Sequence, residues 1–264
     1  MTDLVTLTIE HHVARATLNR PDKKNALSLE MLSALTETAQ AIQARDDIRA
    51  VVIHGAGGVF SAGIDLADLM GLAPRLDEIK HQMRNPPEGD AANLFQKPVT
   101  VWAALPVPVI AAIEDVCFGA GMQLALGADF RIAAPDARLS IMEAKWGLIP
   151  DMGLSQSLPR LMRADQAKEL VMTGRVLDAA EAASLGLVTR LADDPLQAAL
   201  TMAGDLAAKS PDAIRAGKTL VDAAWATDPA TLALEAELQA QIMGAPNQME
   251  AVMAQMQKRA PSFT

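Results

Sequence analysis

The sequence predicts an α/β fold in which an N-terminal strand-and-helix core gives way to an all-helical C-terminal third. Three observations predict it. Strand-like and helix-like patterns alternate through the N-terminal half. From about residue 160 strand patterns nearly vanish and helix punctuation takes over. Half of the 264 residues are apolar, enough to build a sizeable core. At about 150 residues per domain the length allows one or two domains, and no linker separates independent units.

Taken in order, Leu4 to Ile9 and Val13 to Leu18 flank Glu10-His11-His12, the pattern of a hairpin. Ser28 is placed to N-cap a helix whose apolar positions Leu32, Leu35, Ala39 and Ile42 step by three or four residues. Ala50 to Ile53 reads as a buried strand running into the turn Gly55-Ala56-Gly57-Gly58. Residues 71–93 carry Pro86-Pro87, mixed charge and weak periodicity, and are expected to be mobile and to line a ligand pocket. Val107 to Ile113 is a second buried strand, and Gly119 to Leu126 a short apolar helix behind a small-residue turn. Phe130 to Ala133 and Leu139 to Ile141 are short strands. Beyond them, Asp178-Ala179-Ala180-Glu181 has capping-box spacing, and Ser210-Pro211 and Asp228-Pro229 put proline at the first helical position. Gly244 followed by Pro246 stops a helix.

Charge and composition narrow the function. Against 32 acidic residues stand 23 lysines and arginines, a net charge of −9 with no dense basic run. Nucleic-acid binding needs a basic footprint and stacking aromatics, and aromatics are only 3%. No stretch approaches the roughly 18 apolar residues of a membrane span. The first residues carry no basic, then apolar, leader, so the expected compartment is the cytoplasm. The single cysteine, Cys117, rules out an internal disulfide and reads as a core residue. An acidic chain that binds an anionic ligand must do so with backbone amides and a few local cations.

Several familiar chemistries are absent. The Gly55 to Gly58 turn lacks the third glycine of a dinucleotide fingerprint, and no Gly-Lys-Ser/Thr phosphate loop occurs. There is no Gly-x-Ser-x-Gly elbow. His11, His12, His54 and His81 show no ligand pairing, so neither a metal nor a permanently bound cofactor is expected.

Three segments stand out together: Phe60-Ser61-Ala62-Gly63-Ile64-Asp65-Leu66, Phe118-Gly119-Ala120-Gly121-Met122-Gln123-Leu124, and the stretch from Met142 to Gly153. The first two put small residues at strand-to-helix junctions, where backbone can approach a ligand and first-turn N–H groups are unpaired. Two such amides converging on one point make an oxyanion hole. Taken singly, each is equally a tight turn needed for packing.

Together the three segments resemble the crotonase superfamily, the enoyl-CoA hydratases, isomerases and their relatives. The match starts at Leu18-Asn19-Arg20-Pro21 with Asn25-Ala26-Leu27 and continues to Leu158-Pro159-Arg160-Leu161. It takes in Thr173-Gly174 with Ala179 to Val188, and ends at Gln257-Lys258-Arg259. The resemblance implies a spiral of ββα units over residues 1–200, then a helical region over 201–264 that builds homotrimers or homohexamers. It implies an acyl-CoA thioester as partner, with coenzyme A present only as part of that substrate. The thioester carbonyl is expected between the N–H groups of Ala62 and Ala120, the latter standing where the family usually has glycine. Lys23, Lys24 and Ala26, with Ile64, Asp65 and Leu66, fall on segments that hold the CoA moiety, and Trp146 on the substrate wall. Lys258 and Phe263 are the candidates for closing the pocket.

Hydratases of this family use two glutamates. Glu143 matches the second, but the first falls on Gln123, whose amide cannot take a proton from water. A missing acid–base group typically costs about 10²- to 10⁴-fold, which disfavours ordinary hydration. Asp151, eight residues beyond Glu143, gives the spacing of the dienoyl-CoA isomerases, where two carboxylates shuttle a proton, though those isomerases carry aspartate at the position of Gln123. The same spacing occurs in hydroxyacyl-CoA thioester hydrolases.

Asp151 equally suits an N-cap for the helix after Gly153, and Asp65 reads as the cap of its own helix. Gln123 suits a positioning role. The preferred reaction is double-bond isomerisation of an enoyl- or dienoyl-CoA, with Glu143 and Asp151 moving the proton. One-carboxylate hydration, thioester hydrolysis and acyl-CoA binding without turnover are the alternatives. A charge of −9 disfavours an RNA-binding relative.

Overall fold

The computed structural model describes residues 4–226 and 230–261. Strands β1 (Val5–Glu10) and β2 (Val13–Leu18) form the expected antiparallel hairpin, with His11 and His12 at positive φ in its turn. Helix α1 (Leu29–Gln43) follows, and the Ser28 hydroxyl accepts the Met31 N–H at 3.2 Å as its cap. Strand β3 (Ala50–Gly55) leads through a glycine turn to α2 (Leu66–Gly71).

Residues 71–93, expected to be irregular, contain α3 (Leu76–Arg84). Its Ile79 and Met83 are buried one turn apart, a two-residue apolar face too short to register as periodicity among Asp77, Glu78, Lys80 and Arg84. Helix α4 (Lys97–Ala103) is a further element that propensity does not announce; Asn93 Oδ1 accepts the Phe95 and Gln96 N–H groups just before it.

The core continues with β4 (Val109–Ile113), β5 (Val116–Phe118), α5 (Ala120–Leu126), β6 (Phe130–Ala133) and β7 (Arg138–Ser140). Then come α6 (Leu154–Ser157), α7 (Ala164–Thr173), β8 (Leu177–Asp178), α8 (Ala179–Ser184) and β9 (Arg190–Leu191). The chain closes with α9 (Pro195–Ala207), α10 (Pro211–Ala224), α11 (Ala230–Ile242) and α12 (Pro246–Gln257). Asp178 and Ser210 cap α8 and α10 as the sequence predicts, whereas Asp228-Pro229 lies outside the described residues.

Among the described residues the main sheet has six strands in the order β1-β2-β3-β4-β6-β9, parallel from β2 onward, and a second sheet runs β5-β7-β8. Parallel strands are covered on both faces, which is why β3 and β4 read as unbroken apolar runs. Val51, Ile53, Val109 and Ala111 face the main core with Leu32 and Leu35 of α1. Ala50, Val52, Ile110 and Ile132 face α9, whose Ala199 and Ala203 let the helix lie close. The C-terminal helices are not appended to this body. Ala236 of α11 and Met243 just past its end belong to the main core, and α12 packs Gln248 and Ala251 against Gly147.

Candidate active site

The loop after β3 is held by hydrogen bonds to the segment before α1. Asn25 is fully buried at positive φ, donates from Nδ2 to the Ala56 and Val59 carbonyls at 3.0 and 2.6 Å, and accepts the Arg20 N–H at 2.9 Å. Ser61 N–H donates to Val116 O at 3.0 Å and Ser61 Oγ to Asn25 O at 2.8 Å. These bonds place residues 62–65 alongside residues 24–27, where a short parallel bridge joins Leu27 to Ile64.

That bridge decides which amide is available. Ala62 was expected to supply one donor, but its N–H donates to the Lys24 carbonyl at 2.9 Å. Gly63 N–H goes to Ser61 Oγ at 3.2 Å and Asp65 N–H to Leu27 O at 2.9 Å. Ile64 N–H has no acceptor among the described residues, so on this loop Ile64 replaces Ala62 as the free donor. On the second loop Gly119 N–H donates to Ser140 O at 2.9 Å, and Ala120 opens α5, where first-turn amides have no intrahelical acceptor. The loops touch at Gly63: a methyl group there would lie 2.9 Å from Phe118 O and 3.8 Å from Ala120 N.

Glu143 stands beside these amides, since a methyl group at Gly119 would lie 3.5 Å from its Oε1. Its Oε1 accepts from Gln123 Nε2 at 2.7 Å, while Oε2 is buried without a partner. Burial without a neighbouring cation pushes the Glu143 carboxyl up to about 7, against the pull of the Gln123 amide. Gln123 in turn accepts the Met152 N–H at 2.8 Å, tying the loop of Glu143 to that of Asp151.

Asp151 is buried, and the structure rules out the capping alternative. Gly153 is the N-cap of α6, with no side-chain cap, and the Gly153 and Ser155 amides donate to Glu235 of α11 at 2.9 and 2.6 Å. Burial first, then the negative charges of Glu235 and Glu143, push Asp151 well above the ordinary carboxylate range. Asp65, by contrast, caps α2 through Ala67 N–H at 2.9 Å. Its carboxyl is held low chiefly by Arg20, whose guanidinium lies 2.6 Å away.

These groups enclose a cavity of about 470 Å³. Its wall includes Lys23, Ala26, Ala62, Ile64, Asp65, Leu66, Ala120, Gln123, Glu143, Trp146 and Asp151. Lys24 lies off the wall, its ammonium 3.3 Å from Asp115, because its backbone turns to bond the loop at residue 62. Lys258 ends α12 away from this cavity, and Phe263 lies outside the described residues. None of residues 71–93 lines the cavity; Leu69, Phe95, Gln239 and Met243 occupy that side.

Sequence reasoning missed Arg20, Glu235, Gln239 and Met243. Glu235 and Gln239 lie four residues apart on α11 and Met243 follows just past its end, so a helical face carrying buried polar groups was the available signal. A larger cavity of about 520 Å³ lies beneath α10, where Lys218 pairs with Asp129 and Arg160 with Asp222, leaving those charges engaged. Among the described residues no cluster of His, Cys, Asp or Glu is placed to hold a metal ion.

A mostly parallel sheet with two unpaired junction amides facing buried carboxyls defines a crotonase-fold enzyme. The family model for enoyl-CoA hydratase/isomerase matches residues 8–264. The chain is 32% identical over 254 residues to methylglutaconyl-CoA hydratase of Mus musculus, covering 93% of this chain and 77% of that one. It is 37% identical over 218 residues to Delta(3,5)-Delta(2,4)-dienoyl-CoA isomerase of Rattus norvegicus, covering 79% and 65%. The crystal structure of an enoyl-CoA hydratase/isomerase from Pseudoalteromonas atlantica T6c superposes with a TM-score of 0.83 at 27% identity, covering 99% of this chain and 100% of that one. The chain belongs to the enoyl-CoA hydratase/isomerase family.

Proposed function

We propose that this enzyme shifts the double bond of an enoyl or dienoyl thioester of coenzyme A. The observation that carries the reading is the Gln123–Glu143 hydrogen bond of 2.7 Å with Asp151 buried beyond it. Position 123 bears an amide that donates to Glu143, so it cannot serve as a second base for water. Asp65 and Asp68 also line the wall, but Asp65 is held by Arg20 and Asp68 by the Leu29 N–H, which leaves Glu143 beside the free amides and Asp151 farther along the cavity for proton transfer.

In this mechanism Ile64 and Ala120 N–H groups hold the thioester oxygen. Glu143 as carboxylate removes a proton from Cα. The C–H electron pair moves into the thioester, giving an extended enolate whose negative oxygen the two amides stabilise. The enolate then collapses, its electrons forming a C–H bond at the far carbon with the proton of Asp151. The bond leaves conjugated with the carbonyl, Glu143 gains one proton and Asp151 loses one, and proton return from Glu143 or solvent resets the pair.

The buried part of the wall, formed by Phe95, Asp151, Met152, Gln239 and Met243, holds no cation; Arg20 and Lys23 are less buried. That supports an uncharged acyl tail. Exposed Leu220 and Val221 on α10, with Trp225 at its C-cap, support assembly of the chain into trimers or hexamers.

The test is mass spectrometry after incubation with 2-enoyl-, 3-enoyl-, 3,5-dienoyl- and 3-hydroxyacyl-CoA in heavy water. Deuterium at the far carbon, Cγ of a 3-enoyl chain or Cε of a 3,5-dienoyl chain, with a shifted double bond supports the reading. A water adduct or free coenzyme A as the main product overturns it.

A further inference from the structure

We propose that Glu235 is a positioning residue that keeps Asp151 protonated, so that Asp151 enters the reaction as the proton donor and Glu143 as the base. This rests on the isomerase reading above.

The geometry around Glu235 is that of a bound carboxylate. Its Oε1 accepts the Ser155 N–H at 2.6 Å, and its Oε2 accepts the Gly153 N–H at 2.9 Å and Gln96 Nε2 at 3.4 Å. Gln96 is fixed by donating to Leu232 O at 2.7 Å. Every one of these contacts points N–H at oxygen. A proton on either oxygen would face a donor, so the site favours the charged form.

Asp151 has the opposite surroundings. It is buried, and among the described residues no donor reaches its carboxyl apart from its own backbone. Of the elements around it, α11 presents Glu235 and the turn at residue 143 presents Glu143, while α5 and α6 carry no ionisable side chain. Lys97 of the nearby α4 is held by Asp90 at 2.6 Å. Burial raises Glu235 as well, but the Ser155, Gly153 and Gln96 donors all oppose that rise. When neighbouring carboxyls share a dry site, the proton settles on the one with fewer donors. Here that is Asp151. Glu143, with one donor from Gln123, falls between the two.

The same arrangement gives Asp151 a reason to recover its proton. Once it has protonated the far carbon, its charge lies beside that of Glu235, and the repulsion draws a proton back.

The experiment combines infrared spectroscopy with kinetics on the intact enzyme. The wild type at neutral pH is expected to show a protonated-carboxyl band that disappears in Asp151→Asn. In Glu235→Gln that band should titrate away at least about one pH unit lower. The alkaline limb of kcat should move down with it while the acid limb set by Glu143 stays in place, a one-sided shift that a merely loosened fold would not produce. Two results overturn the proposal: Asp151 ionised in the wild type at neutral pH, or a folded Glu235→Gln variant in which its ionisation does not move. If Glu235→Gln does not fold, the wild-type spectrum against Asp151→Asn decides alone. Failure of the isomerase reading looks different: Asp151→Asn would turn over like the wild type while the band still reports the Asp151 proton.

Discussion

Gln123 Nε2 lies 2.7 Å from Glu143 Oε1, so a neutral amide grips the acid that stands beside the free Ile64 and Ala120 donors. The grip has two consequences: it orients Glu143, and it keeps a second negative charge away from it.

Replacing the amide tests both. In Gln123→Glu two carboxyls meet at hydrogen-bond distance and share a proton, which raises their joint ionisation. The acid limb of kcat/KM for double-bond shift should move up by about one pH unit or more. The same variant restores the two-carboxylate pattern, and water addition to a 2-enoyl thioester should rise. Initial rates across pH, with product analysis, check both.

Glu143→Gln should lower kcat by about 10²- to 10⁴-fold with little change in KM, because the amide keeps the shape and loses the base. Steady-state kinetics on a 3-enoyl thioester, with heavy-water incorporation, read the split.

The Glu143 carboxyl also makes pH predictions with opposite signs for rate and stability. As a base raised to about 7, it should make kcat/KM fall about tenfold per unit below that pH. For stability, a carboxyl raised from 4.5 to about 7 on folding contributes fully below 4.5. There both states hold the proton. As pH climbs through the window the unfolded chain ionises first, and on the order of 3 kcal/mol is lost by the time pH passes the folded value. Urea denaturation at a series of pH values should therefore show a flatter stability profile in Glu143→Gln across that window.

Gly63→Ala tests the junction between the two loops. Gly63 sits at φ 101°, and the added methyl would press on Phe118 O at 2.9 Å. Strain of roughly 1–3 kcal/mol and a displaced Ile64 amide should follow. Losing one such donor costs about 10²- to 10³-fold in kcat. Thermal denaturation separates the strain from the catalytic loss.

Tail preference follows from the absence of a buried cation on the described wall. A thioester with a straight apolar tail should exceed one ending in a carboxylate by at least about 10²-fold in kcat/KM, since an unpaired charge would enter a dry, acid-lined end. Competition between the two substrates measures the ratio directly.

Much of this protein was legible residue by residue. Ser28 as a cap, the apolar runs of β3 and β4, the all-apolar α5 and the cap at Asp65 are local events: each needs only a spacing, a side chain and its neighbours within a turn. Glu143 was identified by the pattern of residues around it, and its burial agrees with neighbours Ile141 and Met142.

What the sequence could not decide was where each polar group finds its partner. The choice between the Ala62 and Ile64 amides depends on the Lys24 carbonyl, nearly forty residues away in the chain. Whether Asp151 caps α6 or stays an acid depends on Glu235, more than eighty residues further on. The wall expected from residues 71–93 comes instead from α11, because α3 turns its apolar face into the core. Local pattern determines which elements form; satisfaction of donors and acceptors is a property of the assembled fold, and among the described residues it is that satisfaction which leaves two amides free and one acid with no donor beyond its own backbone.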